Sequence, residues 1–217
     1  MIRILYNLKN TLSYLILFAL FNSCNGQSKE VEICQVSYKN AKLKLGKYGQ
    51  DSDKFLIKEA MKHIDTAINC KETRKKSIEL KISLLSILKE YKNAYEFIDS
   101  LSEDDFLKKY KKTMQYNFFR ALEDESKGDI SGRNKYFLEI IKEIESNIKS
   151  EYATQKMIDE EAYYDLFFIK SKLLSKQEMK AEIGSLKKQY SDKEDFFDIL
   201  KESFNEETKE SYPIPSD

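Results

Sequence analysis

Apolar side chains recur every three or four positions along almost the whole chain after residue 30, and that spacing predicts helices. The clearest case is Lys76–Leu101. Ile78, Ile82 and Leu85 share one face of a first helix, widened by Leu84, Ile87 and Leu88. Lys89-Glu90 interrupts the pattern, and Tyr91, Ala94, Tyr95, Ile98 and Leu101 then form the stripe of a second helix. An isolated helix of about eleven residues is marginal in water. Burying each large apolar side chain is worth roughly 1.5–3 kcal/mol. Such helices therefore form by packing on one another.

The other segments repeat the theme. Val31–Tyr48 predicts a first helix with a modest apolar face of Val36, Leu43 and Leu45, followed by a loop at Gly49-Gln50-Asp51-Ser52. Asp53 can cap a second helix carrying Ile57, Ala60, Met61, Ile64, Ala67 and Ile68 and ending near Asn69-Cys70. Ser102-Glu103-Asp104-Asp105 has the acids of a helix start. It predicts a fifth helix from about Asp105 to Lys127, with Phe106, Tyr110, Met114, Phe118, Ala121 and Leu122 inward.

After a loop at Gly128–Gly132, Phe137, Ile140, Ile141, Ile144 and Ile148 mark a sixth helix. A seventh, from about Thr154 to Ser175, is apolar over most of its circumference, which places it between neighbours. An eighth covers Gln177–Tyr190. Ser191 with Glu194 predicts a capping box for a ninth, which carries Phe196, Phe197, Leu200 and Phe204. From Thr208 the chain reads as a loose tail.

Glu90–Ile98 resembles the turn and second helix of a tetratricopeptide repeat. Tyr91 follows the turn, small Ala94 comes three residues later, and bulky Ile98 four after that. Lys127-Gly128-Asp129, with Ala121 before it and Phe137 and Ile140-Ile141 after it, resembles a second copy, although Arg133 stands where that repeat has a small residue. The resemblance implies an all-α fold of stacked antiparallel helix pairs, a tetratricopeptide-like solenoid. The pairs start at uneven intervals, so the expected stack is irregular. A compact helical bundle is the alternative.

Composition agrees with an all-helical chain. Of 217 residues only six are Gly and two are Pro, and both prolines fall in the last five positions. Lys+Arg and Asp+Glu both number 37, so bulk charge points neither to nucleic acid nor to an acidic substrate. Lys, Asn, Ile, Tyr and Phe all have A/T-rich codons, and their abundance alone signals no binding role.

The N-terminal segment changes the picture most. Arg3 and Lys9 precede an apolar run, Thr11–Phe21, of about the length of a signal-peptide core and shorter than a membrane span of about 20 residues. Phe21-Asn22-Ser23-Cys24 resembles the lipobox of bacterial lipoproteins, with Ser23 and Cys24 in place and Phe21 and Asn22 departing from the usual Leu and small residue. The resemblance implies a signal peptide over 1–23, lipid (palmitate among its chains) on Cys24, a flexible tether over 24–30, a helical domain over 31–207 and a tail over 208–217. It implies attachment to a membrane of the bacterial envelope, facing the periplasm or the cell surface. A plain secretory signal cut near Ser23, or an uncleaved anchor, is the alternative.

Candidate chemistry is sparse. His63 is the one histidine and cannot anchor a His-rich metal site. Glycine-rich phosphate loops, G-x-S-x-G and C-x-x-C are absent. No catalytic residue, metal or cofactor is implied. Adjacent acids such as Glu160-Glu161 and Asp104-Asp105 point to different helix faces. The basic runs Arg74-Lys75-Lys76 and Lys108-Lys109…Lys111-Lys112 sit beside Glu72, Glu79, Asp104 and Asp105, which argues against nucleic acid.

Cys34 and Cys70 come near each other if the first two helices form a hairpin. They are then either a disulfide, allowed in an oxidising compartment, or two separate thiols.

The reading is a lipid-anchored envelope protein, not an enzyme, whose helical stack binds another protein. Tyr95, Tyr116, Phe119, Tyr163 and Tyr164 are the candidate contact aromatics. An immunity-type protein that neutralises a toxin is the alternative. A carboxylate hydrolase would need a cleft with two facing acids.

Overall fold

The computed structural model describes residues 29–106, 108–155 and 157–204. The described residues form α-helices, short 3-10 turns and loops, with no strand among them, so the fold class is all-α. Among them are nine α-helices: α1 (29–51), α2 (Lys54–Ala67), α3 (Arg74–Ile87), α4 (Tyr91–Asp99), α5 (Lys109–Ser126), α6 (Ile130–Gln155), α7 (Glu160–Lys170), α8 (Lys176–Gln189) and α9 (Glu194–Ser203). None of the described helices is long and apolar enough to cross a membrane. The proposed signal peptide, Cys24 and the C-terminal tail lie outside the described residues. The chain divides into two compact units, one over 29–84 and one over 85–204, with the division inside α3.

In the first unit α2 buries Ile57, Ala60, Ile64 and Ala67, and the Asp53 side chain accepts from the Phe55 N–H at 2.9 Å to cap it. α1 turns out differently from its apolar pattern. Its buried face is Cys34, Ser37 and Ala41, whereas Val36 and Leu43 face solvent at 50% and 63% exposure. A disulfide joins Cys34 to Cys70, with Cα atoms 6.2 Å apart. Small residues on α1 permit that close approach. The helix also runs on through Gly49 to Asp51, and the turn into α2 is correspondingly short.

In the second unit α5 packs against α4 and α6, α6 against α7, and α8 against α9. One core holds Tyr110, Met114 and Phe118 from α5, Phe137, Ile140 and Ile144 from α6, Leu166 and Phe167 from α7, and Phe197 and Leu200 from α9. Phe118 alone meets Phe119, Phe137 and Phe168 at centroid distances of 5.7, 6.1 and 5.7 Å.

Several helix ends move from their expected places, each for a local reason. Ser102 and Asp105 form a reciprocal capping box, but it closes only a 3-10 turn, Glu103–Asp105. Phe106 is then extended and buried, and α5 starts at Lys109 rather than Asp105. Asp129 accepts from the Gly132 N–H at 2.9 Å, an N-cap that makes 130–132 helical rather than loop. α6 runs to Gln155, and α7 starts only at Glu160, capped by Asp159. α7 ends at Lys170, short of Ser175, which makes a capping box with Glu178 for α8. Ser191 opens a 3-10 turn instead of capping α9.

Two turns share one device. At the end of α3, Lys89 N–H donates to Ser86 O and Glu90 N–H to Leu85 O, with Lys89 at φ 57°. At the end of α5, Gly128 N–H donates to Glu125 O and Asp129 N–H to Asp124 O, with Gly128 at φ 79°. Both are Schellman caps, which favour glycine in the left-handed position. Lysine there carries a backbone cost of roughly 1–2 kcal/mol. Lys89→Gly is therefore expected to raise stability by up to about 1 kcal/mol, and Gly128→Ala to lower it by about as much. A Cβ at Gly128 would meet nothing within 4 Å, so that loss is purely conformational. Thermal unfolding of the two variants, with shifts of opposite sign, checks the assignment.

Candidate functional site

α5 carries a buried apolar face, with Tyr110, Met114 and Phe118 on it, among many charged and polar residues, and its rotation decides what it offers. Phe118, Phe119 and Ala121 are turned into the core. Tyr116 and Arg120, one turn apart, stand half-buried. There Arg120 is framed by tyrosines from three helices. Its guanidinium carbon lies 4.9 Å from the ring centre of Tyr95 on α4, 5.9 Å from that of Tyr116 and 5.0 Å from that of Tyr136 on α6. Tyr95 and Tyr116 meet edge to face at 5.9 Å. One guanidinium N–H donates to the Tyr136 hydroxyl at 2.6 Å and another to the Tyr116 hydroxyl at 3.3 Å.

The electrostatics of this group are unusual for the chain. Lys111, Arg133, Lys170 and Lys187 each face a carboxylate. Among the described residues no carboxylate lies within ion-pairing distance of Arg120. Burial works against its charge, yet the surrounding tyrosines outweigh that and hold its pKa above the usual arginine value. A guanidinium carries five N–H donors in a planar fork. Ring faces and two hydroxyls fix its orientation without neutralising it. Nearby, Lys127 pairs with Glu123 at 2.9 Å, and Lys135 lies 5.9 Å from the centre of the Tyr136 ring. The arrangement suits a planar, doubly accepting anion such as a carboxylate.

A second polar cluster joins the start of α5 to α6 and α7. Lys108 pairs with Asp159 and, at 3.4 Å, with Glu161; Lys111 pairs with Asp165 at 2.6 Å and Glu161 at 3.0 Å. The Tyr110 hydroxyl donates to Asp165 at 2.9 Å, and burial with that neighbouring charge pushes its pKa well above the usual tyrosine range. Burial and the facing carboxyl of Asp159 raise the pKa of Glu151. Burial opposes the charge of Asp159 too, but hydrogen bonds from Lys108 and the Ala162 N–H prevail and hold it below the usual value.

Two acids do face each other here, yet Asp159 is already committed as the cap of α7 and as the partner of Lys108. The cluster is a clamp. Lys108→Met would leave Asp159 and Glu151 charged against one another above their pKa values, a cost of about 1–3 kcal/mol. Lowered pKa at Asp159 means stability present at neutral pH and lost as pH falls through its folded value. The deficit of Lys108→Met is thus expected to be largest at pH 7 and to shrink in acid, as the carboxyls take up protons. Urea unfolding at pH 7 and at successively lower pH measures it.

The residues singled out in the sequence separate accordingly. Tyr95 and Tyr116 come together at Arg120. Phe119 is fully buried and Tyr163 is 4% exposed, so both are core and neither offers a contact surface. Tyr164 is 37% exposed but lies edge to face on Phe196, away from Arg120 in the fold order. His63 is half-buried on α2, and among the described residues no cluster of three or more His, Cys, Asp or Glu could hold a metal ion. Arg120 and Tyr136 were not singled out. Arginine is rare here, with four against 33 lysines, and the Tyr116–Arg120 spacing of four was the signal available. No protein-family model matches the chain, and neither curated proteins nor solved structures include a significant match.

Proposed function

We propose that this protein is a lipid-anchored component of a bacterial envelope whose helical stack, tetratricopeptide-like in arrangement, binds another protein. The carrying observation is Arg120, oriented by Tyr95, Tyr116 and Tyr136 and lacking an acidic partner among the described residues. Tyrosine and arginine are the side chains that dominate binding energy in protein interfaces. A carboxylate on the partner would complete the site, so the partner presents an acidic segment. Lys135 beside it favours the same sign of charge and would speed encounter. The resemblance at Cys24 supports the anchor.

Crosslinking in intact cells with tagged full-length protein, read by mass spectrometry beside Cys24→Ala and Arg120→Met versions, tests this reading. An envelope protein captured by the parent and lost with Arg120→Met is the expected result. Reduced capture by Cys24→Ala is expected if tethering concentrates the two partners. A captured partner that is a small toxin would favour the immunity-type reading. Capture unchanged by Arg120→Met would overturn the assignment of the site.

A further inference from the structure

α1 exposes the wrong side chains for a helix facing water. Ile33, Val36 and Leu43 are 56%, 50% and 63% exposed; Val36 and Leu43 lie on the side away from Cys34, Ser37 and Ala41, and Ile33 lies on its flank. Lys29, Lys39 and Lys47 are exposed on the same outer side, with one acid, Glu32, among them, so the face is net basic. Phe55, just past the turn into α2, is 60% exposed. This is an apolar stripe edged with cations, the pattern of a helix lying in a membrane interface. A stripe of three residues is too small to hold a soluble protein on lipid by itself. It does not need to, because the chain is already helical at residue 29, the first described residue, five peptide steps after Cys24. Fully extended, those steps span at most about 18 Å. A lipid on Cys24 would therefore keep the start of α1 within about 18 Å of the anchor, close enough for the helix to reach the membrane surface.

We infer that the outer face of α1 is a membrane-contact surface, seated in the acyl-headgroup boundary of the leaflet that holds the anchor. The inference rests on the proposed lipidation of Cys24. It assigns the basic edge to anionic headgroups and the stripe to acyl chains. Anchor and helix together restrict the first unit to one face against the lipid, where a flexible tether alone would leave it free to turn.

The chain contains no tryptophan, so a single introduced one reports its surroundings alone. The test uses full-length Leu43→Trp and, as a control, Ile199→Trp, a well exposed site on α9 (56% against 63% for Leu43). Both are processed in a bacterial host, checked by mass for lipid on Cys24, and reconstituted in vesicles of brominated phosphatidylcholine with phosphatidylglycerol. Val36→Trp serves as a second reporter should Leu43→Trp fold poorly by circular dichroism.

The expected result is a blue shift and bromine quenching for the Leu43→Trp protein, with the emission of the Ile199→Trp protein unaffected. Lipidated protein that floats with the vesicles but shows identical, unquenched emission from both variants overturns the inference and leaves the anchor standing. A blue shift without quenching that grows with protein density, marking α1 against a second copy, also overturns it. Absence of lipid and of flotation removes the anchor, and the inference falls with it.

Discussion

Reduction of the Cys34–Cys70 disulfide is expected to lower the stability of the 29–84 unit by roughly 2–4 kcal/mol. The bridge closes a sequence separation of 36 residues, long enough for a large restriction of the unfolded chain. The native side of the argument points the same way. The buried face of α1 is Cys34, Ser37 and Ala41, which supply little apolar area. One ion pair of α1, Lys44 with Glu59, is about one-third exposed on both sides, where solvent screens it. Without the bridge α1 has little to hold it on α2.

Urea unfolding with and without reductant, beside Cys34→Ser/Cys70→Ser, measures the loss. Amide exchange should show protection falling first in α1 and changing least in α5 and α6. An unchanged midpoint, or equal loss across both units, would show that α1 is held by other means.

That same helix marks where the sequence stops being legible. α2 could be read directly, because Ile57, Ala60, Ile64 and Ala67 form one stripe and the opposite side, Phe55 apart, is polar. α1 has apolar residues on both sides. Size-weighted reading selects Val36 and Leu43, whereas the fold turns small residues inward because a disulfide draws the two backbones together. Helix ends failed for a related reason. Ser102, Ser175 and Ser191 have similar local patterns, but only Ser175 makes a capping box that starts an α-helix. The burial of Phe106 and the packing of α9 settle the other two, and both depend on residues distant in sequence.

The candidate site was half legible in the same sense. Tyr95 and Tyr116 stood out as aromatics in helical register. Tyr116 and Phe119 could not be told apart, because they lie three residues apart on one side of α5 and packing against α4 and α6 decides which of them is covered. Arg120 gains its character only when Tyr95 and Tyr136, 41 positions apart, are brought to its two sides. Beyond the Tyr116–Arg120 spacing, nothing local distinguishes it from nearby Lys111 and Lys127, which the fold pairs with carboxylates.

Arg120→Met is expected to weaken binding of the captured partner by about 2 kcal/mol or more, roughly 30-fold, while changing the stability of the protein by no more than about 1–2 kcal/mol. Methionine keeps an apolar stem against the tyrosine rings and removes the charge, so the frame of Tyr95, Tyr116 and Tyr136 remains packed. Arg120→Lys should recover only part of the affinity. It restores the charge but not the planar fork that two carboxylate oxygens can accept from together. Parent binding should weaken with added salt more steeply than that of Arg120→Met, because only the parent brings this cation to the interface. Calorimetric titration of the three proteins at two salt concentrations separates the outcomes. Equal affinity for parent and Arg120→Met would dismiss the guanidinium as a contact. Equal affinity for parent and Arg120→Lys would keep the charge but dismiss the fork, and the tyrosines would then serve only to hold a cation in place.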